Sequence, residues 1–431
     1  MKRMHRILIA LGFIFLMIIS WAIVLGSKSD SDIQTELMAQ AAEYIADEVY
    51  ILAVPLLEEA AGYNTALTLE AENELKEIYL ILIDQRGYRG LYAGLLDKQM
   101  NRADASVDVF IEAADFYLND DKFNEAFTVL KNGINKTGSD KLLTMYENNR
   151  YVYRLGSNVY EDVTAIHNLT IGVKWDNLWG IANSNGTLQI PCIYEKVSTY
   201  SGDRAVVMKD NVVFAINKDN NRVAKLNTDI TDFGNLSNDR IPIQAEGKWY
   251  RATGNFVIGS MNFEEIGTYF NGYTAAKANG RWGVIDTASS WLIPAEYDGI
   301  VMDELGRSYA QGAVFIKRDN GVYLYLNGNQ VGNMYDDAKP FSNEGYAAVK
   351  KDGLWGFIDS AGNPIIPYKF EDALSFGQHL AAIKQGEFWG YINLYGDIAI
   401  EPVFLQAKSF AGGSAPVLTE RGWQFISLIE N

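Results

Sequence analysis

The chain has 431 residues, 48 % of them hydrophobic and 21 % charged, which excludes disorder as its main state and leaves room for two or more domains. Its 37 basic and 54 acidic residues give a net charge of −17, which argues against a nucleic-acid partner. The lone Cys192 rules out an intrachain disulfide. Three histidines (His5, His167, His379) are too few for a zinc cluster, and neither a cofactor nor a metal site is read from the sequence.

Residues 7–25 (ILIALGFIFLMIISWAIVL) carry no charge and only Ser20 is polar, so they match a membrane span at its minimum length. Lys2, Arg3 and Arg6 precede the run, which keeps the N-terminus cytoplasmic and sends everything after residue 26 across the membrane. A cleaved signal peptide is the alternative, with Val24 and Gly26 as a weak cleavage site. The run is longer than a usual signal core and lacks an A-x-A pattern, which favours an uncleaved anchor over 1–26, followed by a linker over 27–33.

From residue 34 to 155 the apolar pattern has the period of a helix, as in Ala41, Tyr44, Ile45, Glu48, Val49 and Leu52. Pro55 predicts a kink or the first turn of a new helix. Tyr44, Tyr50, Ala53, Leu57 and Ala60 recur as Leu82, Tyr88, Leu91, Leu95 and Lys98. They recur again as Tyr117, Phe123, Ala126, Leu130 and Gly133, at offsets of 38 and 35 residues. Small residues at these places let paired helices pack closely. With Ala113, Ala114, Tyr117, Ala126 and Gly133, the segment resembles the tetratricopeptide repeat family. That resemblance implies helical hairpins binding peptides or proteins; a generic helical bundle is the alternative.

From about 160 to 431 a period near 34 replaces the helical one. Trp179-Gly180, Trp282-Gly283, Trp355-Gly356 and Trp389-Gly390 mark it. Trp249-Tyr250 and Trp423-Gln424 keep the place without the glycine, and Val213 and Tyr323 are weaker copies. The steps are 34, 36, 33, 41, 32, 34 and 34 residues, the longest containing an insertion within 297–313. Pro191, Pro294 and Pro367 follow the tryptophan by 12 residues and Pro402 by 13. Tyr194, Tyr297, Phe370 and Phe404 follow it by 15. Gly186, Gly362 and Gly396, with Ser289 in the fourth strong unit, mark a turn seven residues on, and Asp352-Gly353 marks a tight hairpin.

These in-phase positions resemble the WG-repeat family of short beta repeats, which implies about eight stacked modules with the tryptophans as rivets between them. The fold class is therefore multidomain: a transmembrane helix, an all-α hairpin-repeat segment, then an all-β repeat array over 160–431. Two or three strands are visible per unit, the first unit starts raggedly and the last is truncated. These features favour an open, curved β-hairpin solenoid. The alternative is a closed propeller-like ring, its last unit completed by a strand from near residue 165.

No catalytic, cofactor-binding or metal-binding residue is assigned. Asp286, Asp359, Asn183 and Asn393 recur beside a turn, where such side chains bond their own backbone. Glu195, Asp298 and Glu371 each follow the anchor aromatic and read as repeat features. Four Asn-x-Ser/Thr triplets begin at Asn135, Asn168, Asn185 and Asn235. The function expected is a membrane-anchored extracytoplasmic recognition or scaffold protein, its partner another protein or a cell-wall polymer, with oligomeric state left open. The alternatives are a wall-acting hydrolase with paired carboxylates and a purely structural spacer.

Overall fold

The computed structural model describes residues 28–225, 230–237, 239–310 and 312–429. The proposed anchor at 7–25 lies outside them. Among the described residues no helix is long and apolar enough to cross a membrane. The chain forms two compact units that divide between Tyr146 and Glu147.

Among the described residues seven helices precede the strands: α1 (Asp30–Ala46), α2 (Tyr50–Ala60), α3 (Thr68–Ile81), α4 (Tyr88–Met100), α5 (Val107–Leu118), α6 (Phe123–Thr137) and α7 (Asp140–Asn149), the last crossing the division. Local chemistry sets their ends. Ser29 caps α1 through a capping box with Asp32, Ser106 accepts from Val109 N to start α5, and Gly138 at φ 65° ends α6. Pro55 lies inside α2. The break falls instead at 47–49, where Glu48 adopts φ 59°. Tyr50, Tyr88 and Phe123, aligned by the repeat, each open the second helix of a pair.

Each of the first five helices packs on the next. Ala53, Leu57, Ala60, Ala126 and Leu130 are fully buried, and a Cβ on Gly133 would lie 2.7 Å from Leu142 and 2.8 Å from Phe110. The middle pair departs from this pattern. Leu91 is exposed, and Lys98 reaches 3.0 Å to the buried Glu72, which Arg102 also meets at 2.7 Å.

The second unit is a ring of eight four-stranded antiparallel sheets. β1 (Tyr153–Leu155) belongs to the last of them. Blade 1 is β2 (Asp162–Val163), β3 (Thr170–Trp175), β4 (Leu178–Asn183) and β5 (Leu188–Tyr194), in that order. Blades 2 to 7 repeat the plan over 196–225, 230–263, 265–297, 299–335, 337–370 and 372–404. Blade 8 takes three strands from the C-terminus, Gln406–Ala407, Ser414–Thr419 and Gly422–Leu428, and β1 as its fourth.

The expected open solenoid is thus corrected to a closed propeller. Tyr153 pairs with Leu428, Arg154 with Ser427 and Leu155 with Ile426. The closing strand comes from 153–155, ahead of the residue-165 region considered for it, and from a segment read as helical. The fourth strand escaped detection because in every blade but the third, where it is Ile230–Phe233, it is only two residues long, too short for any period to register.

The tryptophans share one environment. Trp179 pairs across the outer hairpin with Tyr194, Trp282 with Tyr297, Trp355 with Phe370 and Trp389 with Phe404. Each packs into the apolar cluster joining its blade to the next. Trp249 does the same between blades 3 and 4, and Trp423 between blades 8 and 1. In blade 5 the register assigns the tryptophan's place to Val322, which pairs with Lys317 and Tyr335. Tyr323, the residue that the sequence pattern suggests, stands where four of the other units have glycine.

Candidate functional site at the mouth of the channel

Two residues after the short first strand, or beyond the insertion in blade 5, each blade presents a small or polar residue and then a large apolar one. Tyr200, Tyr269, Phe341, Phe376 and Phe410 are buried examples of the large residue. Thr199, Asn235, Thr268, Ser308, Ser375 and Ser409 occupy the place before it in six of the eight blades. Their hydrogen bonds run from blade to blade: Thr199 N to Asn235 Oδ1 at 3.5 Å, and Ser409 Oγ to Ser375 O at 3.3 Å.

The blade 5 insertion lies across this end of the channel. Asp303 folds it by accepting from Leu305 N at 3.0 Å and Arg307 N at 2.8 Å, and its other oxygen pairs with Arg307 Nε at 2.6 Å. The Arg307 guanidinium stacks on Phe270. The loop is fastened to blade 3 by Asn235 Nδ2 donating to Leu305 O at 3.5 Å, and to blade 4 by Thr268 N donating to Gly306 O at 2.8 Å. A Cβ on Gly267 would meet Gly306 O at 2.5 Å, so the close approach requires glycine there. From blade 8, Lys408 Nζ reaches Glu304 at 2.6 Å. Between the loop and blades 6 to 8 remains a cavity of about 580 Å³.

Its lining residues include two whose hydroxyls have no hydrogen-bond partner among the described residues, Ser308 Oγ and Ser342 Oγ; Ser308 is only 2 % exposed. Glu344, on the same wall, receives a long bond of 3.4 Å from His379 N. His167 Nδ1 lies 2.9 Å from Thr199 Oγ1. Burial, and secondarily the Arg307 charge, push its pKa down to about 4, so the imidazole is neutral. Burial likewise pushes the Cys192 thiol up, away from reactivity.

The repeated acids serve the framework. Asp359 Oδ1 accepts from Ala361 N and Asn363 N, Asp286 from Ala288 N and Ser290 N, and Asn183 and Asn393 act alike. Glu195 accepts from Asn211 N at 3.3 Å, and Glu161 from Asp176 N and Asn177 N at 3.1 Å, so the acid after one anchor aromatic caps the tight turn of the following blade. Asp298 pairs with Arg281. For Glu371 the backbone N bonds Lys384 O, fixing the start of blade 7. Among the described residues no three His, Cys, Asp or Glu side chains are placed to share a metal ion.

Ser308, Ser342 and Glu344 were not singled out by the sequence. The signal that leads to them is the 41-residue step, since extra chain in a ring of fixed blade size must leave the framework.

The geometry defines an eight-bladed propeller with an insertion covering part of its channel. The family model described as WG containing repeat matches residues 179–212, 282–304, 334–355, 355–387 and 389–423. The C-terminal region is therefore built with WG containing repeats. No curated protein matches the chain. Solved structures with some likeness include one described as YCF48 bound to D1 peptide, 9 % identical with a TM-score of 0.35, covering 64 % of this chain and 96 % of that one. A eukaryotic initiation factor is 7 % identical with a TM-score of 0.41, covering 62 % and 82 %. The Cps50 (Swd1) beta-propeller domain of Myceliophteria thermophila is 9 % identical with a TM-score of 0.32, covering 64 % and 100 %. The eight-bladed architecture rests on the strand pairing of this chain and not on these likenesses.

Proposed function

We propose that the chain is a recognition protein whose propeller binds a partner protein at the partly covered channel mouth. The observation that carries this reading is the blade 5 insertion: it makes the longest step of the repeat, and it turns one end of the channel into a cavity. A featureless spacer has no use for that departure.

The helical unit is a second, tetratricopeptide-like array in this proposal. Residues 28–146 hold 22 acidic and 10 basic side chains, a balance suited to basic partners. Residues 7–25 would tether both units outside the cytoplasm, their basic flank remaining inside. A topology reporter fused after residue 431 tests the tether, and activity only on the cytoplasmic side would remove it from the proposal.

The hydrolase reading needs two working carboxylates. At the mouth Asp303 is held by Arg307 and Glu304 by Lys408, leaving Glu344 alone.

The test places a photo-crosslinking amino acid in the full-length protein at Asn343, on the mouth, or at Val403, exposed on the outer strand of blade 7. Discrete protein adducts from position 343 and none from 403 are expected in the native host. Adducts from neither position, or equally from both, would overturn the assignment of the mouth.

A further inference from the structure

We infer that the groove between α3 and α5 of the helical unit takes a basic segment of a partner polypeptide, with apolar side chains between its lysines or arginines. The inference deepens the recognition reading for this unit and needs nothing of the channel mouth. Three observations converge on it.

The first is shape. Leu69, Asn73, Glu77 and Leu80 recur at steps of three or four, so they form one stripe along α3. Asp108, Ile111 and Asp115 form a matching stripe on α5. Two adjoining hollows of about 470 and 610 Å³ lie along these stripes and share Leu80, Asp108 and Glu112. From Leu69 to Leu80 the helix rises about 16 Å, the length of about five extended residues.

The second is apolar surface. Leu69 and Leu80 are 46 % and 43 % exposed, whereas Leu75, the remaining leucine of α3, is buried in the core. Ile83, Ile111 and Phe116 line the same hollow as Leu80. A groove with leucines at both ends of one stripe offers a partner's apolar side chains a place to leave water.

The third is charge. Every basic side chain lining the groove is already matched: Lys76 by Glu112, Arg89 by Asp120 and Arg102 by Glu72. Glu77, Asp104, Asp108 and Asp115 are exposed on the same wall, and among the described residues no basic side chain pairs with them. Nor are three such acids placed to share a metal ion among the described residues, so the four charges suit several cations spaced along a chain. An acidic segment would meet four unmatched carboxylates, and a purely apolar one would cover them without a counter-charge.

The test uses the full-length protein and three fluorescein-labelled octapeptides, with binding read by anisotropy. The probe is Leu-Lys-Ser-Lys-Leu-Lys-Ser-Lys, and in its two analogues glutamine or glutamate replaces every lysine. The lysine peptide is expected to bind saturably, the glutamine peptide at least ten-fold more weakly, and the glutamate peptide not at all. Asp108→Asn with Asp115→Asn should weaken the lysine peptide about five-fold. Glu59→Gln with Asp140→Asn removes the same charge from exposed sites outside the groove and should change its affinity less than two-fold. Leu80→Ser should weaken it several-fold, and circular dichroism checks that each variant keeps its helices.

Equal losses in the two double variants would reduce the effect to net charge and overturn the inference. Equal binding of the lysine and glutamine peptides, no saturable binding of the lysine peptide, or wild-type affinity in Leu80→Ser would overturn it as well. None of these outcomes bears on crosslinking from position 343, so the channel mouth stands or falls separately.

Discussion

Gly390 lies so close beneath the outer strand of its blade that an added Cβ would sit 2.5 Å from the carbonyl oxygen of Ile400. Gly180 stands in the same relation to Ile190, Gly283 to Ile293 and Gly356 to Ile366. In each blade the register shifts just beyond the tryptophan, so a bulge in the outer strand fills the space a side chain would need. Gly390→Ala is expected to cost about 1–3 kcal/mol, as overpacking does elsewhere. Gly94, exposed in α4 with nothing near its missing Cβ, is the contrast: Gly94→Ala should gain about 0.5–1 kcal/mol. Urea denaturation of both variants checks the pair, and equal signs would contradict the close-approach argument.

Ring closure can be locked covalently. Arg154 and Ser427 are direct partners across the antiparallel pair, a separation that suits a disulfide. In a Cys192→Ser background, Arg154→Cys with Ser427→Cys should oxidise within one molecule. It should also raise the melting temperature, by an amount corresponding to about 3 kcal/mol or more for so long a loop. An open array would leave these thiols free or join separate molecules, which non-reducing electrophoresis distinguishes.

Stability should fall in mild acid through His167. Its folded pKa of about 4 lies below the ordinary 6.5, chiefly because the ring is buried and also because Arg307 is near. The neutral form is the folded form. The contribution is therefore complete above pH 6.5 and lost as the pH drops from there through 4, up to about 3 kcal/mol in all. His167→Gln should flatten this part of the pH profile in thermal melts; a wild-type slope retained in the variant would assign the loss to other groups.

Ser308→Ala tests the burial of an unanswered hydroxyl. Removing a buried hydroxyl that bonds nothing among the described residues should raise the stability of the protein by up to about 1 kcal/mol. Calorimetry reads the change, and a variant less stable than wild type would mean that Ser308 is bonded within the protein.

Much of the propeller was legible because its large residues recur. Trp355 and Phe370 are fifteen apart in sequence and face each other across a hairpin, so one packing relation prints itself on the chain with each repeat. Asp352-Gly353 and Gly362 announce their turns by backbone requirement alone, both glycines adopting positive φ. Closure left no comparable mark. Tyr153–Leu155 is three residues long, lies next to helical sequence and finds its partner at the far end of the chain, so no local pattern encodes the pairing. The substitution of Val322 for tryptophan shifted the reading of blade 5 by one residue, since Tyr323 offered the more conspicuous ring. Ser308 and Glu344 are common residues in an irregular stretch; only the folded ring brings them to one cavity.

The pairing of β1 with the final strand also governs how the protein is made. Residues 153–155 leave the ribosome early, whereas 426–428 follow roughly 15–55 s later at ordinary rates of synthesis. Through that interval seven blades can form in succession while the eighth has no complete sheet. The nascent chain thus carries an open strand edge until residues 426–428 have been made, and open edges invite pairing with other chains. Premature termination anywhere before residue 426 therefore yields an aggregation-prone product, even when nearly every blade is intact.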